Sequence, residues 1–140
     1  MPKPTKADAS ILLQFFGTMR LDEDAKKALF WLWETPAVKT YKEFKEKYPM
    51  GSEGYRNFVT VGMYFETLGV LVYYKLLHED LAFDAFALMW NKAEPVVKGM
   101  QKEFKWPKLF ENYEWLAKRA SEWDKKHPPK FSKQKARAPA

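Results

Sequence analysis

Between Arg56 and Lys75 the chain runs for eighteen residues with a single charge, Glu66. Phe58, Val61, Phe65, Leu68 and Val72 recur at the spacing of one helical face, while Val59, Met63, Val70 and Tyr74 occupy another. A helix that is apolar most of the way round is covered on most sides, by a bundle or by lipid. The stretch just reaches membrane-spanning length. A carboxylate at its midpoint costs about 2.5–3.5 kcal/mol on insertion scales, and Asn57, Thr60 and Thr67 add further polarity. The pattern predicts the central helix of a soluble bundle, over about residues 53–76.

Shorter helical patterns flank it. Thr5 to Asp8 fits a capping box, and Ile11, Leu12, Phe15, Phe16 and Met19 follow at helical spacing until Gly17 weakens or closes the helix. Asp22 is a good N-cap for a second helix, with Glu23 and Asp24 favourable at its positive end. That helix buries some of Leu29, Phe30, Leu32 and Trp33. Thr35-Pro36 reads as the cap and first position of a new segment. A second capping box, Thr40 to Glu43, leads into Tyr41, Phe44 and Tyr48 on one face, and Pro49 to Ser52 breaks the chain.

Beyond the central helix, Leu77 to Asp80 opens another, surfaced by Leu81, Ala85, Phe86, Leu88, Met89 and Trp90, and Pro95 predicts a kink or break within it. Val96, Val97 and Met100 continue the pattern. Lys105-Trp106-Pro107 starts the last helix, with Phe110, Tyr113, Leu116, Ala117, Ala120 and Trp123 in one stripe. Pro128-Pro129 ends it. No segment alternates as a strand does, and six glycines are too few for a turn-rich β fold. The class is all-α, a single-domain bundle of five to six helices. Residues 1–4 are frayed, 5–124 form the bundle, and 125–140 form a disordered basic tail.

Composition narrows the chemistry. One hundred and forty residues, 46% hydrophobic and 30% charged, suit one globular domain. No cysteine is present, which excludes disulfides, thiolate metal sites and cysteine nucleophiles. The start MPKPTK has no apolar stretch of a secretory signal, so a cytoplasmic location is expected. Scarce Asn and Gln beside abundant Lys and Glu fit a thermophilic source. The net charge of +6 resides in the tail, where Lys125, Lys126, Lys130, Lys133, Lys135 and Arg137 stand without an acid.

The run Tyr55-Arg56-Asn57-Phe58, with Tyr64 to Val72, is one part of a wider set of motifs. The others are the acidic turn Glu79-Asp80-Leu81, Trp90, Pro95, Phe110-Glu111 and Trp115-Leu116-Ala117. Together they resemble the helical family known as domain of unknown function 4760, over about residues 20 to 120. The resemblance implies a helical fold and brings no activity or catalytic residue with it. Many relatives carry an N-terminal membrane helix. This chain departs from that, because Ile11 to Phe16 is far too short to span.

Glu66 is the sharpest single residue. Gly62 and Gly69 lie on nearly its face, where a neighbouring helix can approach closely. Glu66 reads as a general acid or ligand-binding group, or as a structural polar centre accepting from the Trp90 indole, a tyrosine or a lysine. The structural reading is favoured, because no second carboxylate or base stands at useful spacing. His78, Glu79, Asp80 and Asp84 suggest either a divalent cation or a solvated helix cap. The repeated Glu-x-x-His of a di-iron bundle is missing, which favours the cap. None of the four serines sits in a nucleophile elbow, and Gly51 to Gly54 lacks the lysine and spacing of a phosphate loop.

Lys102 to Lys108 interleaves bases with Phe104 and Trp106. This segment either stacks single-stranded nucleic acid or packs its rings on the core with the lysines solvated. The basic tail attracts polyanions, nucleic acid or an anionic membrane, or merely solubilises the chain. The sequence supports best a non-enzymatic interaction or regulatory module, with no cofactor or metal, contacting a protein partner through Trp31 or Trp33 and Trp106. The alternatives are a nucleic-acid-associated protein and, less favoured, an enzyme with a pocket around Glu66. A homodimer suits so aromatic a small bundle.

Overall fold

Residues 2–131 are described by the computed structural model, and seven helices account for most of them. These are α1 (Lys6–Leu21), α2 (Glu23–Glu34), α3 (Tyr41–Lys47), α4 (Glu53–Tyr73), α5 (Glu79–Ala85), α6 (Trp90–Glu103) and α7 (Glu111–Lys126). No strand occurs among the described residues. The seventh helix arises because the segment after His78 is two helices, separated at Phe86 to Met89.

That break is not at Pro95. Pro95 lies in the second turn of α6, where the helix forgoes the bond to the Asn91 carbonyl and continues to Glu103. The chain turns earlier because Met89 adopts the left-handed conformation, at φ 54°, and because Phe86 leaves the helical path to pack against Phe15 and Tyr64. Gly17 does not close α1 either; the helix runs four residues further, to Leu21. Thr35 ends α2 rather than starting a segment, its N–H and hydroxyl both donating to the Trp31 carbonyl. The last helix begins at Glu111, after a run of turns from Phe104 to Phe110.

The local caps act as their residue types dictate. Thr5 and Asp8 close a full capping box, and Asp22 accepts from the Asp24 and Ala25 N–H groups. Thr40 accepts from the Glu43 N–H, but the Glu43 carboxylate reaches one residue further back, to Lys39 N–H. Ser52 caps α4 after Gly51, which takes φ 85°.

α4 is the axis of the fold, packing most extensively along α7 and α2, while α3 packs on α6 and α1 on α2 and α5. Phe58, Val61, Phe65, Leu68 and Val72 are all buried, as their spacing predicts. The second apolar face is covered only in part. Val59 and Val70 are half-buried, while Met63 is 61% exposed and Tyr74 66%, with Thr67 between them also open. No described helix is long and apolar enough to cross a membrane.

Candidate functional site

Glu66 projects from α4 toward the first turn of α7. Its Oε1 accepts from the Tyr113 backbone N–H and its Oε2 from Asn112 Nδ2, both at 2.9 Å. A helix start leaves four N–H groups without partners. The residue in the N-cap position here is Phe110, held at φ 55°, which offers no side-chain acceptor. Glu66 supplies from another helix the acceptor that α7 lacks, with its charge at the positive end of the helix dipole. The glycines complete the fit. A Cβ at Gly69 would fall 2.7 Å from the Asn112 carbonyl carbon, and one at Gly62 2.7 Å from the Phe110 ring.

Glu66 thus accepts from Asn112 and Tyr113 and not from the tryptophan expected. The Trp90 indole N–H donates to Glu94, one turn along its own helix, while its ring packs edge-on against the buried Tyr113. Neither of the two cavities below includes Glu66 in its lining.

Beside the α4–α7 seam lies an open cleft of about 690 Å³. Its walls come from three places: the N-terminal strap Pro2 to Thr5 with Asp8, the end of α4 and the turn Lys75 to Glu79, and Trp115 to Glu122 of α7. Val72 and Leu77 are buried beneath it. Tyr73 and Trp115 meet edge to face at 5.1 Å on its side. A second cavity of about 400 Å³ lies among Phe83, Leu88, Trp90 and Ala117.

The titratable groups of the cleft are tied into the fold. His78 is the N-cap of α5, its Nδ1 accepting from the Asp80 N–H at 3.0 Å while Nε2–H donates to the Pro2 carbonyl at 2.6 Å. The His78 backbone N–H donates to Asp8 Oδ1. The Thr5 N–H and hydroxyl, donating to Asp8, hold that carboxyl below its ordinary value, and His78 adds to this. Glu79 grips Arg119 with both oxygens, at 2.8 and 3.0 Å, and Arg119 also reaches Glu122. Glu79 thereby holds the guanidinium more firmly in its charged form. The cap reading of His78 is the one the geometry takes. Asp84 faces elsewhere, to Lys130. Among the described residues no three His, Cys, Asp or Glu side chains converge as metal ligands would.

The aromatic residues singled out from the sequence are not gathered in one place. Trp31 is half-buried with its ring edge-on to Tyr48. Trp33 is 63% exposed, and Lys92 reaches across to accommodate the carbonyls of Leu32 and Trp33 at the end of α2. Trp106 is 54% exposed, as is much of Phe104, so the rings of Lys102 to Lys108 do not pack on the core as expected. In that turn Lys105 takes φ 51° and the chain doubles back before either ring reaches the interior.

Lys125 and Lys126 form the last turn of α7 rather than the start of a tail, so the helical domain extends beyond residue 124. Lys130 pairs with Asp84, and His127 stacks on Trp123 at 4.1 Å. Lys133, Lys135 and Arg137 lie outside the described residues. The turn at Lys102 to Lys108 and the basic end of α7 stand at opposite ends of a sixteen-residue helix, about 24 Å apart at 1.5 Å per residue.

Fold and site define an all-helical domain whose central helix is sealed to its last helix by an interhelical cap, with an open cleft at the far end of that seam. The chain belongs to the family described as "Domain of unknown function (DUF4760)", whose model matches residues 4–120. The match takes in α1, which the motifs read from the sequence did not reach. Comparison with the curated proteins and with the solved structures finds no match.

Proposed function

We propose that this domain is a non-catalytic binding module, which recognises a ligand or partner at the cleft and the adjoining exposed part of α4 and returns it unchanged. The observation that carries this reading is the commitment of the cleft's carboxylates and of its histidine. Asp8 closes a capping box, His78 caps α5, and Glu79 and Glu122 hold Arg119. General acid–base catalysis needs a group within reach of substrate and able to exchange its proton. Here such exchange would undo a cap or an ion pair. The apolar and aromatic surface beside these groups is what remains for recognition, as at many binding sites.

The test is ligand-observed NMR on a mixed small-molecule library, read at once and again after a long incubation. Compounds that bind and are recovered unchanged are the expected outcome. Consumption of one that is lost in both Glu79→Gln and His78→Asn would overturn the reading in favour of an enzyme.

A nucleic-acid role is favoured by one observation, the joint exposure of Phe104 and Trp106 among Lys102, Lys105 and Lys108. Rings interleaved with bases can stack unpaired nucleotides. On this second reading, anisotropy of labelled single-stranded RNA falls with salt and is reduced more by Phe104→Ala with Trp106→Ala than by ending the chain at Phe131. Equal binding by the double variant would return the tail to first consideration.

A further inference from the structure

We infer that the cleft between the N-terminal strap, the α4–α5 turn and α7 is a site for a small aromatic anion. This inference rests on the binding-module reading and names its ligand class. Four properties of the cleft lead to it. At about 690 Å³ it has the size of a small-molecule pocket, for which about 300–1,000 Å³ is usual. Its floor, Val72 and Leu77, is apolar and buried. Its side is the edge-to-face pair of Tyr73 and Trp115, a geometry that suits a third ring better than an aliphatic chain.

The fourth property is the charge at the rim. Four cationic side chains, Lys3, Lys75, Lys118 and Arg119, line the cleft with three carboxylates, Asp8, Glu79 and Glu122. Each carboxylate is already engaged: Asp8 by Thr5 and the His78 N–H, Glu79 and Glu122 by Arg119. Lys118 stands 3.3 Å from Glu114. Among the described residues Lys3 and Lys75 pair with no carboxylate, so the positive charge left to a ligand is theirs. Lys75 is held at φ 59° in the turn that follows α4, which fixes its backbone beside the cleft mouth. The ring of the ligand lies against Trp115 and Tyr73 over Val72 and Leu77, and its acid group faces Lys75 and Lys3.

The strap is part of the site. The His78 imidazole holds the Pro2 carbonyl, and the His78 N–H holds Asp8 at the start of α1, so one histidine fastens the wall that carries Lys3.

The experiment titrates the full chain with 2-naphthoate, and in parallel with neutral 2-naphthylmethanol and cationic 2-naphthylmethylamine, following backbone and indole N–H shifts by NMR. Naphthoate is expected to move the Trp115 indole and the Leu77 and His78 amides with a Kd of about 1 mM or tighter. Lys75→Gln, at an exposed position, should weaken it about tenfold with an unchanged melting temperature. Trp115→Ala should weaken it as well. Equal binding of all three compounds would overturn the anion claim and leave the binding module standing. Shifts confined to the outer face of α4 or to Phe104 and Trp106, or no binding by any compound, would remove the cleft as the site. Chemical conversion of naphthoate would overturn both this inference and the reading it rests on.

Discussion

Two glutamates cross from the middle of the chain to α7, and they do different things. Glu66 meets the backbone at the first turn of α7 and stands in a close helix contact, between two glycines. Glu79 meets a side chain, Arg119, two turns further along, at the margin of an open cleft. One carboxylate fixes where two helices touch. The other holds a long flexible side chain in place beside a cavity. A carboxylate's role follows from what it accepts from and how much space surrounds it, and residue type alone distinguishes neither.

The largest way to break the comparison is at Gly69. A methyl group there would meet the Asn112 carbonyl, which is backbone and has no rotamer to yield. Gly69→Ala should destabilise by about 3 kcal/mol, the upper range for overpacking. The same change at Gly17, where an added Cβ meets nothing, should raise stability slightly through helix propensity. Chemical denaturation of the two variants separates them. A Gly69→Ala melt matching wild type would mean that α4 and α7 are not so closely joined.

Next comes the cap. Glu66→Ala leaves the Tyr113 N–H and the Asn112 amide without their acceptor and should cost about 2 kcal/mol. Glu66→Gln keeps an acceptor oxygen and loses the charge at the helix dipole, so about 1 kcal/mol is expected. Thermal melts in low and high salt distinguish the two terms, since only the charge-dependent part is screened. Equal loss in both variants would mean that the charge, and not the acceptor, is what α7 requires.

Much of this was legible beforehand. Gly62, Glu66 and Gly69 stand at i, i+4 and i+7, and that spacing alone indicates a close approach on the face of a carboxylate. The caps Thr5, Asp22 and Thr40 were also readable, because a cap and its N–H partner lie within three residues. What docks on Glu66 was not. Asn112 and Tyr113 lie 46 and 47 residues away. The one signal was negative: no Ser, Thr, Asp or Asn precedes α7 between Lys105 and Phe110, so its acceptor had to come from elsewhere. The break at Phe86 to Met89 was hidden because apolar residues continue through it at helical spacing, while Pro95 advertised a break that the helix absorbs. The cleft gathers residues from three distant stretches and leaves no local pattern at all.

His78 sharpens the comparison on the Glu79 side. Its imidazole is both the cap of α5 and the fastening of the strap. His78→Ala should lose about 1 kcal/mol, the usual worth of an N-cap. His78→Asn retains a capping oxygen and should recover most of that stability, yet still release Pro2. Hydrogen exchange would then show a loosened N-terminus in both variants and a frayed α5 only in the alanine. If the asparagine variant frays α5 as the alanine does, the ring and not the cap stabilises that turn.

The smallest effect belongs to the pair that looks strongest. Glu79 and Arg119 form a two-point ion pair at 2.8 and 3.0 Å, a geometry that favours arginine over lysine. The Glu79 side chain is largely covered at 12% exposure, but Arg119 is 41% exposed and so reaches water on its outer side. Exposed pairs of this kind are worth under about 1 kcal/mol, because solvent screens them and holding a long side chain still costs entropy. A double-mutant cycle with Glu79→Gln and Arg119→Met should therefore return a coupling well below the cost of Glu66→Ala, and one that falls further in high salt. Two-point geometry here positions the guanidinium beside Trp115 and Lys118 more than it stabilises the fold. A coupling as large as the loss from Glu66→Ala would reverse that assignment, making Glu79 a second interhelical anchor and the cleft a by-product of how α5 and α7 are joined.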